Sequence, residues 1–302
     1  MNSLEILEVF NFLPFRRANG RRTRPHLTLR FKDVDLHIDS SKGPGFNLIT
    51  HAHTDHYGNY NMTNPNAVAS VETARILEAT TSKKFSGITF QIEDTLNLGG
   101  IRIKTYPTEH MHGSTAFLIE SETRVLVTGD VKDYRKLPKC DVLVTEATYG
   151  SPEHVFEDEI HKLVNEAKGS TFGVYPIGKA QRVASILLEN GYAVKAEEKI
   201  ERICRAIGID VEEVGDVRLV SPRSLWSVRG KKYILTAQKF YRLPRIVISD
   251  HVDYGGIIEM IEHCDAEHVI FYHGKPSPDL LRDVKEMGKG VTLLNQLERL
   301  SV

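Results

Sequence analysis

This chain has few cysteines, no long apolar run and almost equal numbers of positive and negative side chains. The three cysteines, Cys140, Cys204 and Cys264, are far apart and odd in number. This pattern argues against a disulfide-stabilised scaffold and favours a reducing, cytoplasmic environment. No run approaches the ~18 consecutive apolar residues that a membrane-spanning helix needs, so we expect no membrane partner. Residues 1–10 carry acidic side chains and no basic region, so we also expect no signal peptide.

The charge balance excludes a general attraction for polyanions. The 302 residues include 39 Lys and Arg and 40 Asp and Glu, which gives a net charge of −1. Any binding of nucleic acid must therefore depend on a local basic patch. The composition, 41% hydrophobic and 26% charged, is that of a globular chain with a full core. The length suits one large domain or two of ordinary size.

Histidine, in contrast, is abundant, and part of it is concentrated in one motif. His51, His53, Asp55 and His56 form the pattern H-x-H-x-D-H directly after the apolar residues 48–49. Neutral imidazoles and a carboxylate so close together are a concentrated set of metal ligands. The apolar residues predict the end of a buried strand, and alternation there places the first two histidines on one side. The sequence therefore predicts a metal site, and a polar loop with coincidental histidines is the alternative.

An H-x-H-x-D-H motif after an apolar strand resembles the metal signature of the metallo-β-lactamase superfamily. The resemblance implies an αββα sandwich with one or two metal ions at one edge of its sheets. It also implies that Asp39, which follows the predicted strand 34–38, supports the metal loop from behind. The motif alone names no substrate, because the superfamily includes lactamases, thioesterases, redox enzymes and nucleases.

The same resemblance implies two further ligands. A second histidine cluster contains His110 and His112, followed by Gly113. The ligand of the family typically stands three residues before that glycine, which favours His110 and leaves His112 as the alternative. Asp130 follows the apolar strand 124–128, where the bridging aspartate of the family stands. A carboxylate has two oxygens and can hold two cations ~3.5–4 Å apart.

Three more polar residues narrow the family. Glu146 in VTEATYG, His251 in ISDHVDY and His273 in VIFYHG each follow an apolar strand. Together and in this order they resemble motifs A, B and C of the β-CASP nucleases, over nearly the whole chain. That group includes the pre-mRNA cleavage and polyadenylation endonuclease, RNase J, ligase-associated DNA exonucleases and Artemis-type nucleases. A histidine at motif C is typical of the RNA-acting enzymes and of the ligase-associated exonucleases, so the choice between RNA and DNA stays open.

From residue 152 the pattern changes to alternating helices and strands. Helices are predicted over 152–168, 178–191 and 197–208, with a strand over 171–177, which suggests a small parallel α/β unit. The resemblance implies an α/β fold in which a short α/β β-CASP cap is inserted into the lactamase-like sandwich. The predicted boundaries are 1–151 for the first part of the sandwich, 152–243 for the cap and 244–302 for the closing part.

Two basic stretches are candidates for contacts with phosphate. GKAQR, with Lys179, Gln181 and Arg182, resembles the helix start of β-CASP proteins, and helix starts bind phosphate through free N–H groups. Ordinary exposed helix residues are the alternative. The second stretch comprises Arg16, Arg17, Arg21, Arg22 and Arg24. It is compatible with a phosphate-contacting patch and with a solvated basic turn.

Two Zn²⁺ ions fit this list of candidate ligands best, because it combines neutral imidazoles with carboxylates, and Mn²⁺ is the other candidate. Metal one would be held by His51, His53, His110 and Asp130, and metal two by Asp55, His56, Asp130 and His273. A water between the ions would attack phosphorus, because zinc can lower its pKa to about 7. His251 would protonate the leaving oxygen while Glu146 holds its imidazole, and Asp55 is counted with the catalytic residues as well.

The sequence thus predicts a metal-dependent nuclease that hydrolyses phosphodiester bonds of RNA or single-stranded DNA, as an exonuclease or a processing endonuclease. A homodimer or a nucleic-acid-processing complex is the candidate assembly. Two alternatives stay open. A lactamase-fold hydrolase of a small ester or thioester would explain the metal ligands but not Glu146 with His251. A non-catalytic, nucleic-acid-binding β-CASP subunit usually loses metal ligands, whereas this chain has every one.

Overall fold

The chain divides into two compact units. The computed structural model describes residues 1–18 and 27–301. Unit 1 comprises Met1–Ala74, Lys84–Val155 and His251–Val302, and unit 2 comprises Arg75–Lys83 and Phe156–Asp250. Unit 2 extends past residue 243, the predicted end of the cap, because a strand at 245–246 pairs within its sheet. Of the basic stretch predicted to contact phosphate, Arg21, Arg22 and Arg24 lie outside the described residues.

The first sheet of unit 1 contains the strand that leads into the H-x-H-x-D-H motif. Its strands are β1 (Leu13–Arg17), β2 (Leu27–Phe31), β3 (Val34–Ile38), β4 (Phe46–Leu48), β5 (Ala67–Ser70), β6 (Ile88–Phe90) and β19 (Arg299–Leu300), numbered along the chain. They lie in the order β19-β1-β2-β3-β4-β5-β6. The buried strand that was predicted before the motif is β4, which ends at Leu48.

The second sheet of unit 1 combines an antiparallel half and a parallel half. Its strands are β7 (Thr95–Leu98), β8 (Ile101–Pro107), β9 (Thr115–Glu120), β10 (Arg124–Val127), β11 (Val142–Ala147), β17 (His268–Gly274) and β18 (Gly290–Leu293). The order is β18-β17-β11-β10-β9-β8-β7. From β10 to β18 the neighbouring strands are parallel, so their carboxyl ends lie at the same end of the sheet.

The apolar runs of the second sheet are explained by burial on both faces. Along β9, Phe117 and Ile119 point into a core shared with the first sheet. The alternate residues Ala116 and Leu118 point into a second core on the opposite face. Successive side chains of a strand point to opposite faces. Strands that are covered on both sides are therefore apolar throughout instead of alternating.

Helices cover the outer face of the second sheet. The second core includes residues of α7 (Tyr254–Cys264) and α8 (Pro278–Glu286). Unit 1 also contains α1 (Ser3–Phe10), short 3-10 helices at Asn59–Thr63 and Leu294–Gln296, and the first turn of α2 (Val71–Thr81), whose residues from Arg75 on belong to unit 2. Among the described residues, no helix combines the length and the apolar character needed to cross a membrane.

Unit 2 contains a parallel sheet of five strands, which confirms the predicted α/β pattern. Its strands are β12 (Thr171–Gly173), β13 (Val194–Ala196), β14 (Val217–Val220), β15 (Lys232–Leu235) and β16 (Arg245–Ile246), in the order β13-β14-β12-β15-β16. Its helices are α3 (Ile160–Asn165), α4 (Lys179–Glu189), α5 (Glu198–Ala206) and α6 (Pro222–Leu225).

The helix predicted over 152–168 is wrong in its first half, since α3 begins only at Ile160. The residues before it bind the backbone of a neighbouring segment instead. Asp158 accepts a hydrogen bond from Ser249 N at 2.8 Å, and Glu159 accepts one from Val247 N at 2.7 Å. This pairing depends on residues about ninety positions later in the chain, which local periodicity does not reveal.

The burial of Phe117 predicts a large loss of stability on truncation. Its side chain is 0% exposed and packs edge-on against Phe90, with ring centroids 5.7 Å apart. Phe117→Ala should lower the free energy of unfolding by about 3–5 kcal/mol. The control is Val214→Ala, because Val214 is 80% exposed, and it should change stability by no more than about 0.5 kcal/mol. Urea unfolding followed by circular dichroism compares the two, and equal losses would contradict this core assignment.

Candidate metal centre

The polar residues singled out in the sequence follow the carboxyl ends of strands in unit 1. His51 follows β4, Asp130 follows β10, and Glu146 and His273 lie near the ends of β11 and β17. Because β10, β11 and β17 are parallel neighbours, their carboxyl ends meet, as is usual where α/β sheets build sites. This topology brings together side chains that are far apart in the sequence.

Three imidazoles and one carboxylate form the first group of candidate ligands. The ligand atoms of His51, His53, His110 and Asp130 all lie within 4.8 Å of one another. His53 Nδ1 is 3.1 Å from both His51 Nε2 and His110 Nε2. Two nitrogens bound tetrahedrally to one Zn²⁺ would be separated by roughly 3.3 Å, given Zn–N bonds of about 2.0–2.1 Å. The spacing of this group therefore fits a single cation.

Asp55, His56 and His273 form a second group, again with ligand atoms within 4.8 Å. Asp55 Oδ2 is 3.9 Å from His56 Nε2 and 3.7 Å from His273 Nε2. Asp130 Oδ2 lies 3.5 Å from His56 Nε2 and also 3.5 Å from His51 Nε2. The Asp130 carboxylate thus adjoins both groups, and such a carboxylate can bridge two metal ions about 3.5–4 Å apart.

The electrostatics of this cluster suit a bound cation. Within the described part of the chain, the buried atoms His56 Nε2 and Asp130 Oδ1 have no hydrogen-bond partner. Burial holds the pKa of His51 well below its usual value, so the imidazole is neutral, as a metal ligand must be. Burial by itself would lower the pKa of His56, yet the carboxylates of Asp130 and Asp39 raise it to about 10. The cluster therefore favours positive charge, either as a proton on His56 or as a metal ion in its place.

Asp39 supports the ligand loop from behind, in the place that the resemblance implied. Its carboxylate accepts hydrogen bonds of 2.8 Å from Thr50 N, Thr50 Oγ1, His56 Nδ1 and Tyr272 Oη. The backbone of Asp39 has a φ of 47°, a left-handed conformation that aspartate adopts more readily than most residues. By accepting Nδ1–H, the carboxylate directs Nε2 of His56 toward the ligand cluster.

Two glycines allow the ligand loops to approach one another. Gly129 has a φ of 66°, and a Cβ there would lie 2.6 Å from Thr50 Cβ. A larger residue would push the end of β10 away from the H-x-H-x-D-H loop. Gly113 has a φ of 80°, and its carbonyl accepts hydrogen bonds from Ser70 Oγ at 2.7 Å and Thr73 Oγ1 at 2.9 Å. These contacts fix the loop that contains His110.

His251 and Glu146 form a hydrogen-bonded pair beside the ligand groups. His251 Nδ1 is 2.8 Å from Glu146 Oε2 and 3.0 Å from Oε1, and Val131 N donates to Oε1 at 2.7 Å. Burial would raise the pKa of Glu146, but His251 and the hydrogen bonds lower it, so the carboxylate stays ionised. Asp130, Glu146 and His251 also have ligand atoms within 4.8 Å of one another. The ring of His251 lies 4.6 Å from that of His110.

The two histidines that competed for the same role lie in different surroundings. His110 is fully buried and belongs to the first ligand group. His112 is half-buried and belongs to none of the three groups found among the described residues. Burial lowers the pKa of His112, with Glu109 and Glu72 as its charged neighbours. This placement supports His110 as the ligand.

A basic cavity of about 570 Å³ lies next to His273. Its described lining includes Arg16, Arg17, Lys275 and Arg299 and contains no acidic residue. Phe271–Pro276 and Leu293–Asn295 complete it, at the carboxyl ends of β17 and β18. The cavity therefore presents positive charge at the same end of the sheet as the candidate ligands.

Arg16 and Arg17 also bind backbone carbonyl groups. Arg17 is 3% exposed and donates to the Ser41 carbonyl at 2.7 Å. Its Nε is buried without a hydrogen-bond partner in the part of the chain that the structure describes. Arg16 donates to the Leu297 carbonyl at 2.8 and 3.0 Å. Both arginines thus hold loops in place, and their contact with phosphate stays a prediction.

Lys179, Gln181 and Arg182 lie at the start of α4 and are engaged within unit 2. Lys179 Nζ donates to the Ile248 carbonyl at 2.9 Å, and Arg182 pairs with Asp158 at 2.7 Å. Gln181 caps the helix by accepting a hydrogen bond from Gly178 N at 2.8 Å. Since Lys179 and Gln181 are 6% and 0% exposed, they are not ordinary exposed helix residues. Their contacts stabilise unit 2, and a role in substrate binding stays a prediction.

The chain is similar in sequence to several named proteins. No family profile matches it. A probable DNA ligase of Opitutus terrae is 24% identical over 80% of this chain and 27% of its own length. The endoribonuclease YSH1 of Mycosarcoma maydis is 31% identical over 35% of this chain and 14% of its own length. An RNase J-like protein of Methanocaldococcus jannaschii is 26% identical over 48% of this chain and 43% of its own length.

The predicted resemblance to the β-CASP nucleases is confirmed. The chain nevertheless spans less than half the length of each of these three relatives. In structure, the chain is similar to a protein of unknown function from Enterococcus faecalis V583, known from its crystal structure. The TM-score is 0.65 at 14% identity, over 93% of this chain and 97% of the other. That likeness concerns the fold alone.

Two supporting residues were missed in the sequence. Thr50 connects the two sheets of unit 1, because its side chain binds Asp39 while its carbonyl accepts a hydrogen bond from Thr115 N at 2.9 Å. Tyr272 donates to Asp39 across 233 positions of sequence. Alternation along β17 does indicate that Tyr272 points away from Phe271. The partner that makes it important is visible only in the fold.

The contacts of Asp39 predict an effect on metal affinity without loss of a ligand. Asp39→Asn should weaken Zn²⁺ binding about 10- to 100-fold, because the amide no longer holds the His56 imidazole as a carboxylate does. Tyr272→Phe is the matched control, since it removes one of four hydrogen bonds to Asp39 and should have a smaller effect. Competition with a fluorescent zinc chelator measures both. Wild-type affinity in Asp39→Asn would contradict a supporting role for Asp39.

Proposed function

We propose that unit 1 is a metallo-β-lactamase αββα sandwich, that unit 2 is a short β-CASP cap, and that the chain is a metal-dependent nuclease for RNA or single-stranded DNA. The observation that carries this proposal is the juxtaposition of two ligand groups, with Asp130 belonging to the first and adjoining the second, and of the Glu146–His251 pair beside them. The names of the relatives, which include endoribonucleases and an RNase J-like protein, support hydrolysis of phosphodiesters. A cytoplasmic location and assembly as a homodimer or within a processing complex are further parts of the proposal.

The donor set supports two Zn²⁺ ions, with Mn²⁺ as the other candidate. Neutral imidazoles combined with carboxylates suit zinc, whereas all-oxygen sets suit Mg²⁺ or Ca²⁺. When bound, a pair of such ions supplies a nucleophilic hydroxide at neutral pH and stabilises charge that develops on the phosphate oxygens. The chain itself then has to position the phosphodiester and deliver a proton to the departing oxygen.

We assign proton delivery to His251. Glu146 accepts Nδ1–H, which fixes the ring and directs Nε2 away from that carboxylate. The ionised Glu146 also favours the charged imidazolium, the form that can donate a proton. A general acid of this kind typically contributes 10²- to 10⁴-fold in rate.

A comparison of substrates tests the reaction class. The purified protein, loaded with Zn²⁺ or Mn²⁺, is incubated with RNA and single-stranded DNA labelled at either end, and with a small thioester. Cleavage of a nucleic acid is the expected result, and the product lengths distinguish an exonuclease from an endonuclease. Hydrolysis of the thioester alone would favour a small-ester hydrolase. Bound metal without any turnover would favour a non-catalytic binding subunit.

The different partners of His251 and His273 predict different mutant phenotypes. His251→Ala should keep its zinc and lose about 10²- to 10⁴-fold in turnover, because it removes a proton donor. His273→Ala should bind less zinc, because its Nε2 belongs to the second ligand group, and excess metal should partly restore its activity. Elemental analysis and steady-state kinetics separate the two cases.

A substrate with a better leaving group sharpens that comparison. Such a substrate needs less protonation, so it should rescue His251→Ala and not His273→Ala. Loss of zinc from His251→Ala, or equal rescue of both variants, would show that His251 is not the acid. The third ligand group, in which His251 takes part, would then describe its role better.

The basic cavity predicts a contribution to the binding of phosphate. Lys275→Ala with Arg299→Ala removes two of its exposed charges and leaves the structural contacts of Arg16 and Arg17 intact. Nucleic-acid binding should weaken, and the slope of log K against log salt should fall by about 1.4 for single strands. Lys84→Ala is the control, because it precedes β6 at the opposite edge of the first sheet. An unchanged salt slope in the double variant would show that the basic cavity does not contact the phosphates of the substrate.

A further inference from the structure

Three aromatic residues of unit 2 form an exposed cluster, which we call the aromatic platform: Tyr175, Phe240 and Tyr241. Phe240 is 70% exposed and Tyr175 is 43% exposed. The rings of Phe240 and Tyr241 stack at a centroid distance of 4.4 Å and an interplanar angle of 30°. The hydroxyl groups of Tyr175 and Tyr241 lie 3.1 Å apart. The platform therefore presents the face of an already stacked ring to solvent.

The platform lies at the carboxyl ends of two neighbouring strands. Tyr175 follows β12, and the other two residues belong to the loop 236–244 that follows β15. Strands β12 and β15 are paired in parallel, so these two loops emerge side by side. Loops at the carboxyl ends of parallel strands are the usual place for ligand binding in α/β sheets.

The platform is held in place by contacts within unit 2. Tyr241 packs against a small core formed by Val220, Leu225 and Ile234. The guanidinium of Arg245 donates to the carbonyls of Ala237 and Gln238 at 3.1 and 2.9 Å, which fixes the start of the loop. Phe240 thus extends from an anchored neighbour, and little conformational entropy is lost when a ligand stacks on it.

Positive charge surrounds the platform although the chain as a whole has a net charge of −1. Residues 217–249 contain eight Lys and Arg and no Asp or Glu. Lys239 and Arg242 flank the two stacked rings, are exposed, and form no ion pair with any residue that the structure describes. The Lys179 ammonium lies 5.9 Å from the centroid of the Tyr175 ring.

We propose that the aromatic platform binds single-stranded nucleic acid by stacking a base on Phe240, while Lys239 and Arg242 contact the adjacent phosphates. Exposed aromatic rings combined with basic side chains are the common means of binding single strands, because every base offers a π-face. A paired base in a duplex is already stacked on its neighbours and does not offer this face. The inference rests on the proposed function and assigns it a single-stranded substrate.

Binding to the full chain with its metals removed by a chelator tests the inference without any cleavage. The probe is a fluorescein-labelled oligothymidylate of about 15 nucleotides, the upper range of a single-strand site, and the comparison is its duplex with oligodeoxyadenylate. Phe240→Ala should weaken single-strand binding about 5- to 150-fold and change duplex binding little. Phe240→Trp should keep or strengthen it, and Phe240→Leu should behave like Phe240→Ala, since leucine retains apolar surface but has no π-face.

The salt dependence of binding tests the contribution of Lys239 and Arg242 apart from that of Phe240. Lys239→Ala with Arg242→Ala should lower the slope of log K against log salt by about 1.4. Lys168→Ala should leave the slope unchanged, because this exposed lysine precedes β12 at the amino ends of the strands.

Two results would overturn the inference: wild-type binding in Phe240→Ala, or an equal loss of single-strand and duplex binding. Single-strand binding that depends on Phe240 in a chain without nuclease activity would refute the proposed function and leave the platform. Nuclease activity together with nucleic-acid binding that does not depend on Phe240 would support the proposed function and refute the role of the platform.

Discussion

Asp130 is a buried carboxylate surrounded by imidazoles, and the ends of both sheets in unit 1 are arranged around it. Burial raises the pKa of its carboxyl group, while His56 and the neighbouring histidines lower it. A buried charge without a partner is strongly destabilising, so cationic or hydrogen-bonding groups must converge on this residue. The loops after β4 and β8 supply His51, His56 and His110, whose Nε2 atoms lie 3.5, 3.5 and 3.6 Å from Asp130 Oδ2. A bound divalent metal ion would neutralise the carboxylates of this cluster more fully than a single proton on His56 does.

Asp39 and Tyr272 connect that centre to the fold. Asp39 follows β3 of the first sheet, and Tyr272 belongs to β17 of the second. Their hydrogen bond of 2.8 Å therefore links the two sheets below the ligand loop. A change that loosens the packing of the sheets would also disturb the orientation of His56. We therefore expect the stability of the fold and the affinity of the candidate site for a metal ion to depend on this contact, which the low exposure of both residues strengthens.

Unit 2 shows how one sequence motif can have a structural use. GKAQR begins a helix, as expected, but its lysine and glutamine are buried and bind backbone groups of the same unit. Exposed positive charge is found instead in the segment 217–249, which contains no acidic residue of its own and in which Lys231 pairs with Glu166. The basic segment and the exposed aromatic rings are therefore the features of unit 2 that suit a polyanion. A motif at one helix start would not have revealed them.

Local sequence determined much of this protein: the ligand types of H-x-H-x-D-H, the end of β4 before them, and the strands before Asp130, Glu146 and His273. These features follow from short-range periodicity and from the chemistry of each side chain, and the pattern of motifs was enough to predict the resemblance to the β-CASP nucleases. The tertiary structure decided the rest. It placed His110 among the candidate ligands and His112 outside them, gave Asp39 its partner Tyr272, began the helix predicted over 152–168 only at Ile160, and buried Lys179. Each of these outcomes depends on a contact between residues distant in the chain, and such contacts form only when strands pair and buried polar groups find partners.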